Sequence, residues 1–194
     1  MHRASGMLVA AVALILFPLS SWAAWLDADA PDTWNQRGSS VPTAPPVQGN
    51  DDPRCREGER PVETPEDRAV AAKGWRLFHD YQGGWGLKVI WALSGYDGMC
   101  RPWGYQVFVF VRGVFAGTMS PDPMNSRNDA SLFSVQLLPR LAGPLPLVVT
   151  FERYADNDPL CCPSRRTLVR YRVDRSQRVP LLIPVSASTS PVER

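Results

Sequence analysis

Runs of apolar and β-branched residues, broken by glycine, proline and aspartate, dominate residues 87–185. Residues 87–93 (LKVIWAL), 105–111 (YQVFVFV), 114–119, 132–138, 145–154, 167–173 and 179–185 each predict a strand. The 105–111 run is apolar at odd and even positions alike, which predicts a central strand covered on both faces. In 167–173, Val169, Tyr171 and Val173 alternate with Leu168, Arg170 and Arg172, so one face meets solvent. Arg112-Gly113 predicts a two-residue hairpin, although arginine is an unusual first residue there. Residues 94–104, with Asp97-Gly98 and Pro102, and residues 120–129 (SPDPMNSRND) predict loops.

One helix is expected before the strands. Thr64 can cap it, Pro65 suits its first position, and Glu66 and Asp67 complement the positive end of its dipole. Val70, Ala71, Trp75 and Phe78 follow at roughly helical spacing, until Gly83-Gly84-Trp85-Gly86 ends the pattern. Residues 24–63 contain Pro31, Pro42, Pro45, Pro46, Pro53 and Pro61 and few aliphatic residues, which predicts a linker or disordered tether. Residues 186–194 predict a frayed tail. The expected fold is mostly β (α+β): a single antiparallel β-sheet domain over 64–185 with one N-terminal helix, stapled by disulfides.

The N-terminus changes the compartment. Arg3, the apolar run 7–19 and Ser21-Trp22-Ala23 read as a signal peptide over residues 1–23, cut before Ala24. The apolar run is about 13 residues, against the ~20 needed to span a bilayer, and no later stretch approaches that length. An uncleaved anchor extended through residues 22–26 is the alternative. No cysteine lies near the cut, so the expectation is an exported periplasmic or secreted protein that is not lipid-anchored and keeps no transmembrane span.

Cys55, Cys100, Cys161 and Cys162 form an even set that suits two disulfides in an oxidising compartment. Pairing the neighbours Cys161 and Cys162 closes a small, strained ring. The expected arrangement therefore ties Cys55 and Cys100 separately to that pair, with two pairings open. A zinc site is disfavoured, because adjacent cysteines lack the spacing that lets two ligands converge from one turn. No cofactor is implied.

Charge and chemistry narrow the function. The formal net charge is +2, and the basic residues are spread and balanced by acids, so no nucleic-acid partner is implied. Arg165, Arg166, Arg170, Arg172, Arg175 and Arg178 make the densest basic stretch, which strand alternation places partly on a solvated face. His79 is the one histidine beyond the signal segment and reads as a helix-end surface residue; no G-x-S-x-G elbow accompanies it. Residues 83–86 read as a turn, because strand rather than helix follows. Residues 156–158 (DND) read as a turn instead of a calcium loop. Trp85, Tyr96 and Trp103 fall in turns or loops beside Asp97 and Arg101. Trp85, Tyr96, Trp103 and Arg101 are thus the candidate binding residues, against the alternative that the aromatics cover the core edge.

Residues 105–117 (YQVFVFVRGVFAG), followed by Thr118, and residues 154–164 (YADNDPLCCPS), followed by strand 167–173, resemble the LppP/LprE lipoprotein family of bacterial envelope proteins. The likeness covers about 85–173. It implies an envelope location and no particular activity or cofactor. The chain lacks the lipobox cysteine that the family name suggests.

These features favour a non-enzymatic envelope protein that binds a protein or glycan partner. The alternatives are a hydrolase using carboxylates such as Asp97, Asp156 or Asp158, or a thiol-redox protein using Cys161 and Cys162.

Overall fold

The computed structural model describes residues 24–47, 49–138 and 144–193; the expected signal peptide lies outside the described residues. Its strands are β1 (Arg76–Gln82), β2 (Leu87–Leu93), β3 (Gly95–Tyr96), β4 (Pro102–Trp103), β5 (Gln106–Val111), β6 (Val114–Thr118), β7 (Ser131–Leu137), β8 (Leu145–Arg153), β9 (Arg165–Asp174) and β10 (Leu181–Pro191). They form a four-stranded sheet β1-β2-β5-β6, a second four-stranded sheet β10-β9-β8-β7, and the small pair β3-β4. The single sheet expected from sequence is therefore corrected to three. Each large sheet carries one apolar face, and the loop between β6 and β7 lets the second sheet turn over the first and bury both faces together.

That shared core joins Leu87, Val89, Val107, Val109 and Val111 of the first sheet to Leu147, Val149, Phe151, Val169 and Tyr171 of the second. Strand β8 alternates buried and half-buried residues along its whole length. Strand β5 is buried at every position. Its second face, with Phe108 and Phe110, joins Ile90 and Ala92 under Val70, Trp75 and Val41. This outer cover explains why the 105–111 run lacks alternation. Arg112 (φ 51°) and Gly113 (φ 79°) form the expected hairpin, both in the left-handed region that a primed turn requires.

The helix α1 is Pro65–Ala71, with Thr64 and Asp67 exchanging side-chain-to-backbone hydrogen bonds as a capping box. It is shorter than expected. Gly74 (φ 86°) turns the chain out of it, Trp75 packs edge-on against Phe108 at 5.2 Å, and Phe78 and His79 belong to β1. His79 is accordingly an exposed strand residue, not a helix end.

Segment 24–63 is a second correction. It has little regular structure, yet Leu26, Asn35, Val41 and Cys55 are buried. Residues 24–40 lie beside β10: Ala187 N–H donates to Asp29 O (3.1 Å), Asn35 Nδ2 to Leu182 O (3.1 Å) and Arg37 Nη1 to Val179 O (2.6 Å). Asn35 also donates from Nδ2 to Thr118 O (2.9 Å) and accepts from Thr118 N–H (2.8 Å), so one side chain joins both sheets. A Cβ at Gly117 would collide with that amide, which makes glycine a requirement of the approach. Few contacts suffice because each is buried and satisfied, a property that composition does not report. The tail is likewise paired: β10 runs to Pro191, and the Thr167 and Thr189 hydroxyls meet at 2.7 Å.

The disulfides also differ from expectation. Cys55 bonds Cys100 (Cα–Cα 4.9 Å), and Cys161 bonds its neighbour Cys162. The docking of segment 24–63 explains the first bridge. It carries Asn50 to Tyr96 in a backbone bridge, which seats the Cys55 turn beside the β3–β4 loop that bears Cys100.

Beneath α1 lies a buried ion cluster. Asp67, fully buried, accepts from Arg60 (2.7 Å) and faces Lys88 Nζ at 3.0 Å; Lys88 also donates to Thr64 Oγ1 (2.6 Å) and lies 3.6 Å from Asp80. Burial alone would raise the Asp67 pKa. The hydrogen bonds from Arg60, Thr64 and Lys88 outweigh it and hold the carboxyl well below the usual range. A pKa lowered by folding stabilises the protein above the unfolded value of about 3.9, and that contribution is lost as pH falls through the folded value. Asp67→Asn is expected to cost about 3 kcal/mol at pH 7, because buried Lys88 and half-buried Arg60 keep only the more distant Asp80 carboxylate as a partner. The loss should shrink below about pH 4, where the unfolded carboxyl is already protonated. Urea unfolding of both proteins at pH 7 and pH 3 checks this.

Candidate functional site

The four candidate binding residues do not converge. Tyr96 is fully buried and donates its hydroxyl to Glu59 (3.0 Å), beneath the Arg76 guanidinium at 5.2 Å; it belongs to the core. Burial, with the Glu59 carboxylate beside it, pushes its phenol far above the usual value. Trp103 is half-buried in β4. Trp85 is exposed, but it precedes β2, while Trp103 pairs with Gly95 just beyond the other end of that strand. Arg101 is held by Asp97 (Nε to Oδ2, 2.5 Å) and reaches Leu160 O (3.2 Å).

The carboxylates considered for acid–base chemistry are likewise engaged. Asp97 Oδ1 accepts from the Met99 and Arg101 N–H groups at 2.8 and 2.9 Å. Asp158 Oδ2 accepts from the Ala155 and Ser164 N–H groups at 2.6 and 2.8 Å. Each closes its own loop. Asp156 is exposed. Among the described residues, no three His, Cys, Asp or Glu side chains are grouped to hold a metal ion.

The basic stretch divides. Arg165 donates to Tyr154 O (2.8 Å), and Arg166 pairs with Glu152 (2.7 Å) over the Phe133 ring. Arg170 and Arg172 stand exposed on β9. Arg175 and Arg178 line a groove of about 620 Å³ with Arg112, at the end of the sandwich.

The strongest site lies on the open side. Asn35 and its segment close the sandwich along β6 and β10. Opposite, the sheets end in β1 and β7, and among the described residues no strand joins them. Between these edges is a groove of about 230 Å³, lined by His79, Asp80, Tyr81, Trp91, Phe133 and Ser134. The ring of Phe133 is exposed. Trp91 packs edge-on against Phe78 at 5.1 Å and Tyr105 at 5.7 Å, with His79 at 5.5 Å. The Trp91 indole N–H is buried without a hydrogen-bond partner. Asp80 faces inward to Lys88 (3.6 Å) and Arg60 (3.9 Å). Aromatic walls with a few placed polar groups are the usual make-up of a ligand site. The sequence marked His79 as a surface residue, and it is exposed, but the sequence could not bring β7 beside it.

The fold and this groove define a class: a two-sheet β-sandwich with one closed and one open side. The family profile of the LppP/LprE lipoproteins matches residues 79–176, half of the chain, and the protein belongs to that family. Membership points to the cell envelope, and the lipoprotein name stands at odds with the expectation that the chain carries no lipid anchor. Among the described residues, no helix is long and apolar enough to cross a membrane. No curated protein and no solved structure matches the chain. Both motifs that carried the resemblance are now placed. Residues 105–118 build the β5–β6 hairpin and end at the Asn35 contact, and residues 154–164 build the loop that presents Cys161 and Cys162.

Partial burial, then the nearby Arg60 charge, lowers the His79 pKa against the opposing pull of Asp80. The assigned His79 imidazole resonance should titrate with a midpoint below about 6.5. Because the folded value is depressed, His79 favours the folded state above that pH and opposes it below. A midpoint above 6.5 would contradict this placement.

Proposed function

We propose that this protein is a non-enzymatic binding module of the cell envelope that takes the end of a glycan into the groove between β1 and β7. The carrying observation is the groove itself, where the exposed Phe133 ring of β7 shares a wall with Tyr81 and Trp91 of the other sheet. The faces of Tyr81, Trp91 and Phe133 suit the apolar faces of sugar rings. His79 and Ser134 add hydrogen-bonding groups at the rim. At about 230 Å³ the groove is smaller than a drug-sized pocket, which fits one terminal ring better than a long chain threaded through it. The export signal and the family support an envelope setting. In this reading the chain acts outside the cytoplasm as a soluble exported form, although its family is named for lipoproteins.

Isothermal titration with soluble peptidoglycan disaccharide fragments tests the reading. Saturable binding is expected. Phe133→Ala and Tyr81→Ala should each weaken it by about tenfold, the effect of losing one aromatic contact. Trp103→Ala, away from the groove, should bind as the parent does. Absence of binding, or equal loss in Trp103→Ala, would contradict the proposal.

A further inference from the structure

Cys161 and Cys162 sit on the surface, both exposed, in the loop between β8 and β9. The loop is tightly built. Asp158 ties its two ends through Ala155 and Ser164, and the Tyr154 hydroxyl donates to Leu160 O (3.1 Å). Cys162 N–H donates to Pro159 O (3.1 Å). Two cations approach from other loops. Arg127 lies over the Tyr154 ring at 4.1 Å and donates to Asp158 O (3.3 Å), and Arg101 donates to Leu160 O (3.2 Å). The bridge is thus held out to solvent by a rigid frame, with two guanidinium groups on the residues just before it.

The two disulfides differ in what they can contribute to stability. Cys55 and Cys100 are 45 residues apart, so their bond removes conformational freedom from a long loop of the unfolded chain; Cys55 is buried. Cys161 and Cys162 are neighbours, so their bond closes no loop and removes almost none. Nothing in the folding balance protects that bond, and its sulfurs are accessible. Nearby arginines stabilise a thiolate and make it a better leaving group.

We propose that Cys161–Cys162 is a thiol-exchange site that accepts two electrons from a dithiol partner while Cys55–Cys100 stays closed. One thiolate of the dithiol attacks either exposed sulfur, forming a mixed disulfide and expelling the other cysteine as a thiolate in the loop that Arg101 and Arg127 hold through Leu160 and Asp158. The partner's second thiolate then attacks the mixed disulfide. The partner leaves as a disulfide, and Cys161 and Cys162 remain as thiols after taking up two protons. The frame keeps the two sulfurs adjacent, so an oxidant reverses the exchange.

The test uses the full chain, equilibrated in graded mixtures of reduced and oxidised dithiothreitol, alkylated at each ratio and mapped by peptide mass. Cys161 and Cys162 should both be alkylated at reductant ratios at least about tenfold lower than those that open Cys55–Cys100. Arg101→Ala combined with Arg127→Ala should raise the ratio needed for Cys161–Cys162 severalfold and leave Cys55–Cys100 unchanged. Circular dichroism of the variant confirms its fold, and the parent's ordering of the two bridges tests the proposal by itself if the variant unfolds. The proposal is overturned if Cys55–Cys100 opens first, if both open together, or if Cys161 and Cys162 are free thiols before any reductant is added.

Discussion

Asn35 holds this structure to its shape. Its side chain accepts from and donates to Thr118 in one sheet and donates to Leu182 in the other. These bonds are buried, where an unmade partner is costly. They also carry the N-terminal segment into place, because Trp34 donates its indole N–H to the same Thr118 carbonyl (3.0 Å) and Trp25 packs on Trp34 and Phe151. One side is closed in this way, and the groove lies at the opposite edges, between β1 and β7.

A second constraint acts on the outer face. Asp67 caps α1 and, with Asp80, balances the charges of Lys88 and Arg60 beneath it, so the helix that covers Phe108 and Phe110 is fixed by charge as well as by apolar contact. The Cys55–Cys100 bridge fastens the remainder of the same leading segment. The leading segment thus runs from the β6 and β10 edges, which Asn35 joins, to the outer face of the first sheet, and the groove side is left to β1, β7 and the rings between them.

Local signals were legible in the sequence; relations between distant segments were not. The strands β2, β5, β6, β7, β8 and β9, the Arg112-Gly113 hairpin and the Thr64 cap follow from periodicity and turn chemistry, whereas β3 and β4 lie in the stretch 94–104 that reads as loop. The length of α1 was misjudged because Trp75 and Phe78 keep helical spacing by coincidence, while Gly74 ends the helix. The docking of 24–63 was hidden because one asparagine and a few rings do its work in a proline-rich background. The division into three sheets and the neighbour disulfide depend on which strands and loops meet in space. Of the residues expected to bind, Tyr96 is core, Arg101 braces the cysteine loop, and Trp85 and Trp103 lie apart. The rings that do share a groove belong to strands far apart in the chain, and only the fold brings Phe133 to Tyr81 and Trp91.

Native-state hydrogen exchange resolved by residue tests the asymmetry most directly. The Thr118 and Ala187 amides, held by Asn35 Oδ1 and Asp29 O, should exchange as slowly as the central β5 amides. Amides on the outward edges of β7 and of the end of β1 near Gln82 should exchange many times faster. Exchange of residues 24–40 at the rate of an unstructured peptide, with Thr118 unprotected, would contradict the closed side and with it the account of the groove.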